Sequence, residues 1–226
     1  MTTLLVEKEG LFAKVIDFKA SELICMGYTS RNKKALLEHI EELKKIGVPA
    51  PEKIPTSYVV NPNILTTGRE ITVDGLHTSG EVEYVLLVGN DGETYITVGS
   101  DHTDRDLERQ DILRAKNKCP KIMAPKVWPL REVEDSKQLV LTSWVSNGHG
   151  LLQKYQEAYL SDIMEPVELF REVGGSRRGL VLMSGTVPVL KKHIVYSDVF
   201  IMRLEDRTTG RRIEHWYQIS VGTSTP

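Results

Sequence analysis

Short apolar runs separated by turn residues dominate the chain from about residue 57 onward. Runs rich in Val, Ile, Leu and Tyr predict strands at 58–60, 71–73, 82–88, 95–98, 139–145, 180–183 and 199–204. The sequences GNDG at 89–92 and NG at 147–148 are typical of hairpin turns. Two segments, at 104–116 and 166–173, have helical patterns.

The N-terminal part has a different pattern. The first twenty residues alternate only weakly, which is typical of an edge hairpin or an arm. A helix is predicted after Thr29 or Ser30, either of which is a suitable N-cap, and Gly47 marks its end. The apolar positions of this helix are Leu36, Ile40 and Leu43.

Together these elements predict an α+β protein that is mainly β. At about 150 residues per domain, 226 residues make roughly one and a half domains. We therefore expect one β domain of mixed, largely antiparallel sheet in residues 56–226, preceded by an N-terminal arm and a lid-like helix in residues 1–55.

The composition narrows the class of protein. The chain has 29 Lys and Arg against 31 Asp and Glu and a net charge of −2, without the basic excess of a nucleic-acid-binding protein. It has no apolar run near the ~20 residues of a membrane span and no signal-peptide pattern. Two cysteines fit a reducing compartment. We predict a cytoplasmic protein with neither a nucleic-acid nor a membrane partner.

Two carboxylates, Glu81 and Glu83, open the most apolar predicted strand. Residues two apart share a face of a strand, so both point the same way as Val85 and Leu87. The opposite face is apolar too, which predicts a strand buried on both sides. Two like charges are costly there unless they have a partner.

The following hairpin brings a third carboxylate, Asp101, to the same place. A two-residue turn at 90–91 sets Glu81 opposite Ser100, and a turn at 91–92 sets it opposite His102. In both registers Asp101 ends the return strand beside Glu81. Three oxygen ligands favour a hard cation, Mg²⁺ or Mn²⁺ first and Ca²⁺ next. His102 is excluded from this set because adjacent strand residues face opposite ways. The alternative is a solvated strand end with Asp101 as the N-cap of the next helix.

Several short motifs resemble those of the fumarylacetoacetate hydrolase superfamily, and those between about residues 80 and 190 occur in the family's order. Glu81-Val-Glu83 is similar to its Glu-x-Glu strand, and DHTDRDLE at 101–108 is similar to its Asp followed by Thr-x-Arg-Asp. The further matches are Lys118 before a Pro-containing loop, the turn at 147–148, MSGTVP at 183–188, and a His-x-x-Glu on the predicted helix, His39 to Glu42. Lys116 and Lys121 are alternatives to Lys118.

The resemblance implies a mixed β-sandwich roll and a metal-dependent hydrolase. Its substrate would be a small 2-oxo acid or 1,3-dicarbonyl compound similar to an acylpyruvate, whose C–C bond breaks through a metal-stabilised enolate. A lyase, decarboxylase, dehydratase or isomerase acting on a 2-oxo acid is the first alternative, because these reactions share the enolate. A non-catalytic binding domain is the second. The resemblance also implies a homodimer.

The resemblance further implies roles for individual residues. The implied metal ligands are Glu81, Glu83 and Asp101, for Mg²⁺ or Mn²⁺. The implied catalytic residues are His39, which takes a proton from water, Glu42, which orients His39, and Lys118, which adds positive charge beside the developing oxyanion. Arg105 and Thr186 are the implied substrate-binding residues. Without the resemblance, His39 is typical of a histidine that borders the apolar stripe of a helix, with Glu42 as its surface ion-pair partner. Lys118 is then typical of a solvated basic run.

Overall fold

The computed structural model describes residues 1–34, 36–37, 40–41, 51–133, 135–146, 150–191 and 193–222. Its strands are β1 (Thr2–Lys8), β2 (Leu11–Phe18), β3 (Glu22–Gly27), β4 (Thr56–Val60), β5 (Leu65–Thr66), β6 (Glu70–Val73), β7 (Thr78–Ser79), β8 (Val82–Val88), β9 (Thr94–Asp101), β10 (Thr103–Asp104), β11 (Lys121–Met123), β12 (Lys126–Pro129), β13 (Leu139–Ser146), β14 (Gln153–Tyr159), β15 (Leu180–Met183), β16 (Val199–Asp206) and β17 (Arg211–Val221). Its α-helices are α1 (Arg105–Glu108), α2 (Ile112–Lys118) and α3 (Pro166–Glu172). Single 3₁₀ turns lie at Pro62–Ile64, Leu130–Glu132, Ser136–Gln138 and Leu160–Asp162.

Two large sheets make up most of the fold. The larger has ten strands, with β2-β1-β12-β9-β8-β15-β3-β4 in order and β11 joining β9 to β5. Its pairing is mixed, because β3 runs parallel to β15 and β1 parallel to β12. The second sheet has the order β14-β13-β16-β17-β6, and β7 pairs with β10 in a short ribbon. The predicted class, mainly β with some α, is confirmed.

Strand β8 lies inside the larger sheet and separates two hydrophobic cores. All seven of its residues are buried, as predicted for a strand covered on both faces. Tyr84 and Leu86 pack in the core that includes Phe200 of the second sheet. Val85 and Leu87 pack in the other core, against the N-terminal strands. The strand that carries Glu83 is therefore held from both sides.

The hairpin between β8 and β9 adopts neither predicted register. Gly89 N donates to Glu93 O at 2.8 Å, which encloses a three-residue loop, and Gly92 at its end has φ +82°. A three-residue loop with a left-handed final residue is a common hairpin connection. The pairing is Val82 with Ser100. The extra loop residue therefore shifts the register and sets Glu81 directly opposite Asp101.

The three α-helices whose bounds lie within the described residues are short. The predicted helix at 104–116 is two helices, because Asp104 caps α1 and Asp111, with extended backbone, caps α2. The helix predicted at 166–173 corresponds to α3. Within the described ranges, no helix is long and apolar enough to cross a membrane.

The N-terminal strands contribute to the larger sheet. β1 pairs with β2 and β12, and β3 lies between β15 and β4. Residues 33–34, 36–37 and 40–41 are helical. The rest of the predicted long helix lies outside the described residues, and the division of the chain at residue 55 stays a prediction.

Candidate metal centre

The structure brings the three predicted carboxylates together. Glu81 precedes β8, Glu83 lies within it, and Asp101 ends β9. Asp101 N donates to Glu81 O at 3.1 Å, and one oxygen from each of the three side chains lies within 4.8 Å of the others. Glu83 and Asp101 are buried, whereas the Glu81 side chain is 21% exposed. Of the three side chains, that of Glu81 is therefore the most exposed.

Asp101 is held by two lysines. Lys121 Nζ lies 2.8 Å from Asp101 Oδ1 and donates to His102 O at 2.6 Å. Lys116 Nζ donates to the other oxygen, Oδ2. Burial alone would raise the pKa of Asp101, but the two ammonium groups hold that pKa well below its usual value. Asp101 is therefore ionised.

Glu81 is held by Arg105, whose guanidinium is almost fully buried. Arg105 Nη2 lies 3.0 Å from Glu81 Oε1, and Nη1 lies 2.8 Å from Glu108 Oε2. Arg105 Nε donates to Ser79 Oγ at 2.7 Å. Arg105 thus orients one of the three carboxylates, and its contact with a substrate stays a prediction.

Glu83 is the carboxylate without a cation. Its Oε2 accepts a hydrogen bond from Gly185 N at 2.9 Å, and no basic side chain of the described chain lies within ion-pair distance of it. Burial, reinforced by the charge of Asp101, raises the pKa of Glu83 well above its usual value. A buried carboxyl group without a basic partner, beside two others, is a donor set that fits a hard divalent cation.

Thr186 lies beside the cluster but its hydroxyl is already engaged. It donates to Val82 O at 3.0 Å and accepts from Gln156 Nε2 at 2.8 Å. The hydroxyl proton thus fixes the loop after β15 against β8. Binding of a substrate carboxylate near Thr186 stays a prediction.

A second layer of polar groups supports the cluster from the five-stranded sheet. The Tyr217 hydroxyl lies 2.9 Å from Ser100 Oγ and 2.9 Å from His102 Nδ1. Ser100 Oγ accepts from Glu81 N at 3.2 Å. His102 Nε2 lies 2.9 Å from Thr78 Oγ1. His102 therefore points away from the carboxylates, as the sequence predicted, and Tyr217 connects the second sheet to Glu81.

Replacing His102 with glutamine is expected to flatten the acid side of the stability–pH curve. Burial, together with Lys121, lowers the pKa of His102 from 6.5 to about 3 in the folded protein. The unfolded chain binds that proton at higher pH, so the wild type loses stability as pH falls from about 6.5 towards 3. This one group contributes a slope of at most about 1.4 kcal/mol per pH unit.

Urea unfolding at several pH values from about 4.5 to 7 measures this slope. His193→Gln is the matched control, because it makes the same substitution at an exposed histidine. Equal slopes for the wild type and His102→Gln would contradict a neutral, buried His102.

One other predicted position, Lys118, is not brought to the cluster. Lys118 is on the surface, where its Nζ donates to Asp74. It is therefore Lys116 and Lys121, the alternatives, that reach the carboxylates. His39 and Glu42 lie outside the described residues. So does the turn at 147–148.

Several residues of the site carry no usable signal in the sequence. Lys121 faces Asp101 because the three-residue strand β11 pairs with β9, and such a short strand has no readable pattern. Glu108 is one of several acidic residues on a polar helix. Tyr217 belongs to β17, which was not among the predicted strands, although its alternating burial, from Arg211 to Gln218, has the two-residue period of a half-buried strand.

A family model described as protein of unknown function (DUF2848) matches residues 26–217. No curated protein sequence matches the chain.

Several solved structures share the fold. A 2-keto-3-deoxy-D-arabinonate dehydratase complexed with magnesium and 2,5-dioxopentanoate has a TM-score of 0.62 and 16% identity, over 91% of this chain and 75% of that one. A 5-carboxymethyl-2-hydroxymuconate delta-isomerase from Mycobacterium smegmatis has a TM-score of 0.63 and 18% identity, over 95% and 88%. A 2-hydroxyhepta-2,4-diene-1,7-dioate isomerase from Mycobacterium marinum has a TM-score of 0.64 and 14% identity, over 92% of this chain and 77% of that one. These proteins belong to the fumarylacetoacetate hydrolase superfamily, so the predicted resemblance is confirmed at the level of the fold.

Proposed function

Because this chain belongs to the DUF2848 family and has the fold of the fumarylacetoacetate hydrolase superfamily, we propose that it is a metal-dependent enzyme for a small 2-oxo acid or 1,3-dicarbonyl substrate. Hydrolysis of a C–C bond is the first candidate reaction. The observation that carries the proposal is Glu83, a buried carboxylate beside Glu81 and Asp101 without a basic partner among the described residues. A divalent cation, Mg²⁺ or Mn²⁺ first, is the partner that this donor set favours.

The residues around the cluster have separate tasks in this proposal. When bound, the cation supplies Lewis acidity to the carbonyl oxygens of the substrate. Arg105 orients Glu81 and Lys121 orients Asp101 for metal binding, because each base holds its carboxylate through a buried ion pair. Lys116 and Lys121, rather than Lys118, supply positive charge beside the developing oxyanion.

Residues beyond the carboxylate cluster and its basic partners have roles in the proposed reaction too. His39 takes a proton from the attacking water, and Glu42 fixes its orientation. Groups near Thr186 bind the substrate carboxylate. A homodimer in the cytoplasm, without a nucleic-acid or membrane partner, completes the proposal, and light scattering of the purified protein checks the dimer.

Dehydration or isomerisation of a 2-oxo acid is the second candidate. It is favoured by the similar solved structures, which are named as a dehydratase and as isomerases. These reactions do not consume water as a nucleophile. Full turnover by His39→Ala, with metal still bound, would therefore favour this candidate over hydrolysis.

Metal-stripped protein is expected to gain thermal stability on adding Mg²⁺ or Mn²⁺ and to turn over at least one member of a panel that includes oxaloacetate and acylpyruvates. The gain follows from binding to the folded state alone. Glu214→Gln is the control variant and should show the same gain as the wild type, because Glu214 is an exposed partner of Arg203 on the second sheet. An unchanged melting temperature with millimolar Mg²⁺ and Mn²⁺ would contradict the proposal.

A further inference from the structure

The two lysines on Asp101 are held differently. Lys121 is fully buried on β11, in register with Asp101, and its ammonium contacts both Asp101 Oδ1 and His102 O. Lys116 lies on the short helix α2, and its ammonium has a single hydrogen-bond acceptor among the described residues, Asp101 Oδ2. Lys121 is therefore fixed, whereas Lys116 can leave by breaking one contact.

Lys116 also occupies the oxygen that a metal ion needs. Asp101 Oδ1 is engaged by Lys121 and, at 3.2 Å, by the hydroxyl of Thr103. Oδ2 is the remaining oxygen, and Lys116 contacts it. An ammonium group and a divalent ion on one carboxylate oxygen would repel each other strongly in a buried site.

We propose that the Lys116 ammonium serves as the resident counter-ion of the carboxylate cluster, and that a divalent cation binds by displacing it from Asp101 Oδ2. The inference rests on the proposed function, since it takes Glu81, Glu83 and Asp101 as metal ligands.

The surroundings of Lys116 offer a second position for its charge. The Tyr58 ring centroid lies 5.6 Å from Lys116 Nζ, within cation–π range. Tyr58 is only partly buried, so an ammonium that moves towards its ring stays beside the cluster and approaches solvent. There it can meet the negative charge of a bound 2-oxo acid. The same lysine thus stabilises the metal-free cluster and recognises an anionic substrate once metal is present.

Isothermal titration calorimetry with Mn²⁺ tests the displacement directly. Lys116→Gln removes the competing cation and is expected to bind Mn²⁺ about tenfold more tightly than the wild type, or better. Lys118→Gln is the matched control: it lies on the same helix and loses the same charge, but its ammonium pairs with Asp74 at the surface. Its affinity should equal that of the wild type.

Thermal unfolding gives a second readout that does not depend on turnover. In EDTA, Lys116→Gln should be less stable than the wild type, because the cluster has lost its counter-ion. With saturating Mn²⁺ the difference should shrink or reverse. Lys116→Arg serves if the glutamine variant does not fold: a guanidinium can hold Asp101 through two hydrogen bonds and resist displacement, so Mn²⁺ affinity should fall about tenfold.

The opposite results identify a different role. If Lys116 instead positions Asp101 for the metal, Lys116→Gln will bind Mn²⁺ more weakly and Lys116→Arg about as well as the wild type, which overturns the inference. Equal affinity of the wild type and Lys116→Gln overturns it too. Failure of both proteins to bind Mn²⁺ overturns the proposed function itself, so the two failures are distinguishable.

Discussion

Glu83→Gln is expected to abolish Mg²⁺ and Mn²⁺ binding, to reduce turnover by about a hundredfold or more, and to stabilise the metal-free protein. The amide keeps an oxygen that can accept the hydrogen bond from Gly185 N. It removes a buried carboxyl group whose charge has no basic partner in the described part of the chain. Calorimetric titration with Mn²⁺ measures the first effect, and urea unfolding in EDTA measures the last.

The pH dependence of this stabilisation has a definite sign. Burial raises the pKa of Glu83 above its usual value of 4.5, so the folded wild type binds a proton that the unfolded chain releases. The stability of the wild type therefore falls as pH rises above about 4.5, and the advantage of Glu83→Gln grows over the same range. A glutamine variant less stable than the wild type at neutral pH in EDTA would contradict a buried Glu83 without a basic partner.

Glu81→Gln is the matched comparison. It should also weaken metal binding, but it should destabilise the metal-free protein, because Arg105 loses one of its two carboxylate partners. Glu83→Gln and Glu81→Gln should thus both weaken metal binding, but they should change the stability of the metal-free protein in opposite directions.

Gly80→Ala is expected to destabilise the protein by about 2–3 kcal/mol. A Cβ at this position would lie 2.5 Å from Tyr217 Oη and 2.7 Å from Phe200 Cδ2. Both side chains are fully buried aromatic rings of the second sheet, so neither can move aside cheaply. Because Tyr217 also holds Ser100, which accepts from Glu81 N, the surviving folded protein should bind Mn²⁺ less tightly.

Gly75→Ala provides the control for this change. The nearest atom to a Cβ there, Asp104 Oδ2, lies at an ordinary contact distance of 3.8 Å. Urea unfolding should therefore separate the two alanine variants by about 2 kcal/mol or more. Similar free energies of unfolding would mean that the sheet interface near Tyr217 accommodates a methyl group.

Much of the fold could be predicted from the sequence because strand β8 is unusually apolar. Its two apolar faces predicted burial on both sides, and its position before a turn predicted the hairpin that brings Asp101 to Glu81. The exact register could not be predicted, because two- and three-residue loops are both compatible with GNDG at 89–92 and differ by only one residue.

The groups that neutralise the cluster were harder to predict. Lys121 reaches Asp101 through the pairing of β11 with β9, and Lys116 through a short helix that ends beside the sheet. Both contacts depend on tertiary structure, whereas the prediction of Lys118 rests on its position before a Pro-containing loop. Neighbouring lysines on one helix point in different directions, so sequence proximity alone cannot select among them.

The parallel pairing of β3 with β15 also has a kinetic consequence. It joins residues about 158 positions apart, as in the contact between Cys25 and Met183. Such distant pairing closes a long loop before its contacts form, which slows folding. Strand β15 also pairs with β8, which carries Glu83. We therefore expect the carboxylate cluster to assemble late in folding. Metal binding should then slow unfolding more than it accelerates folding.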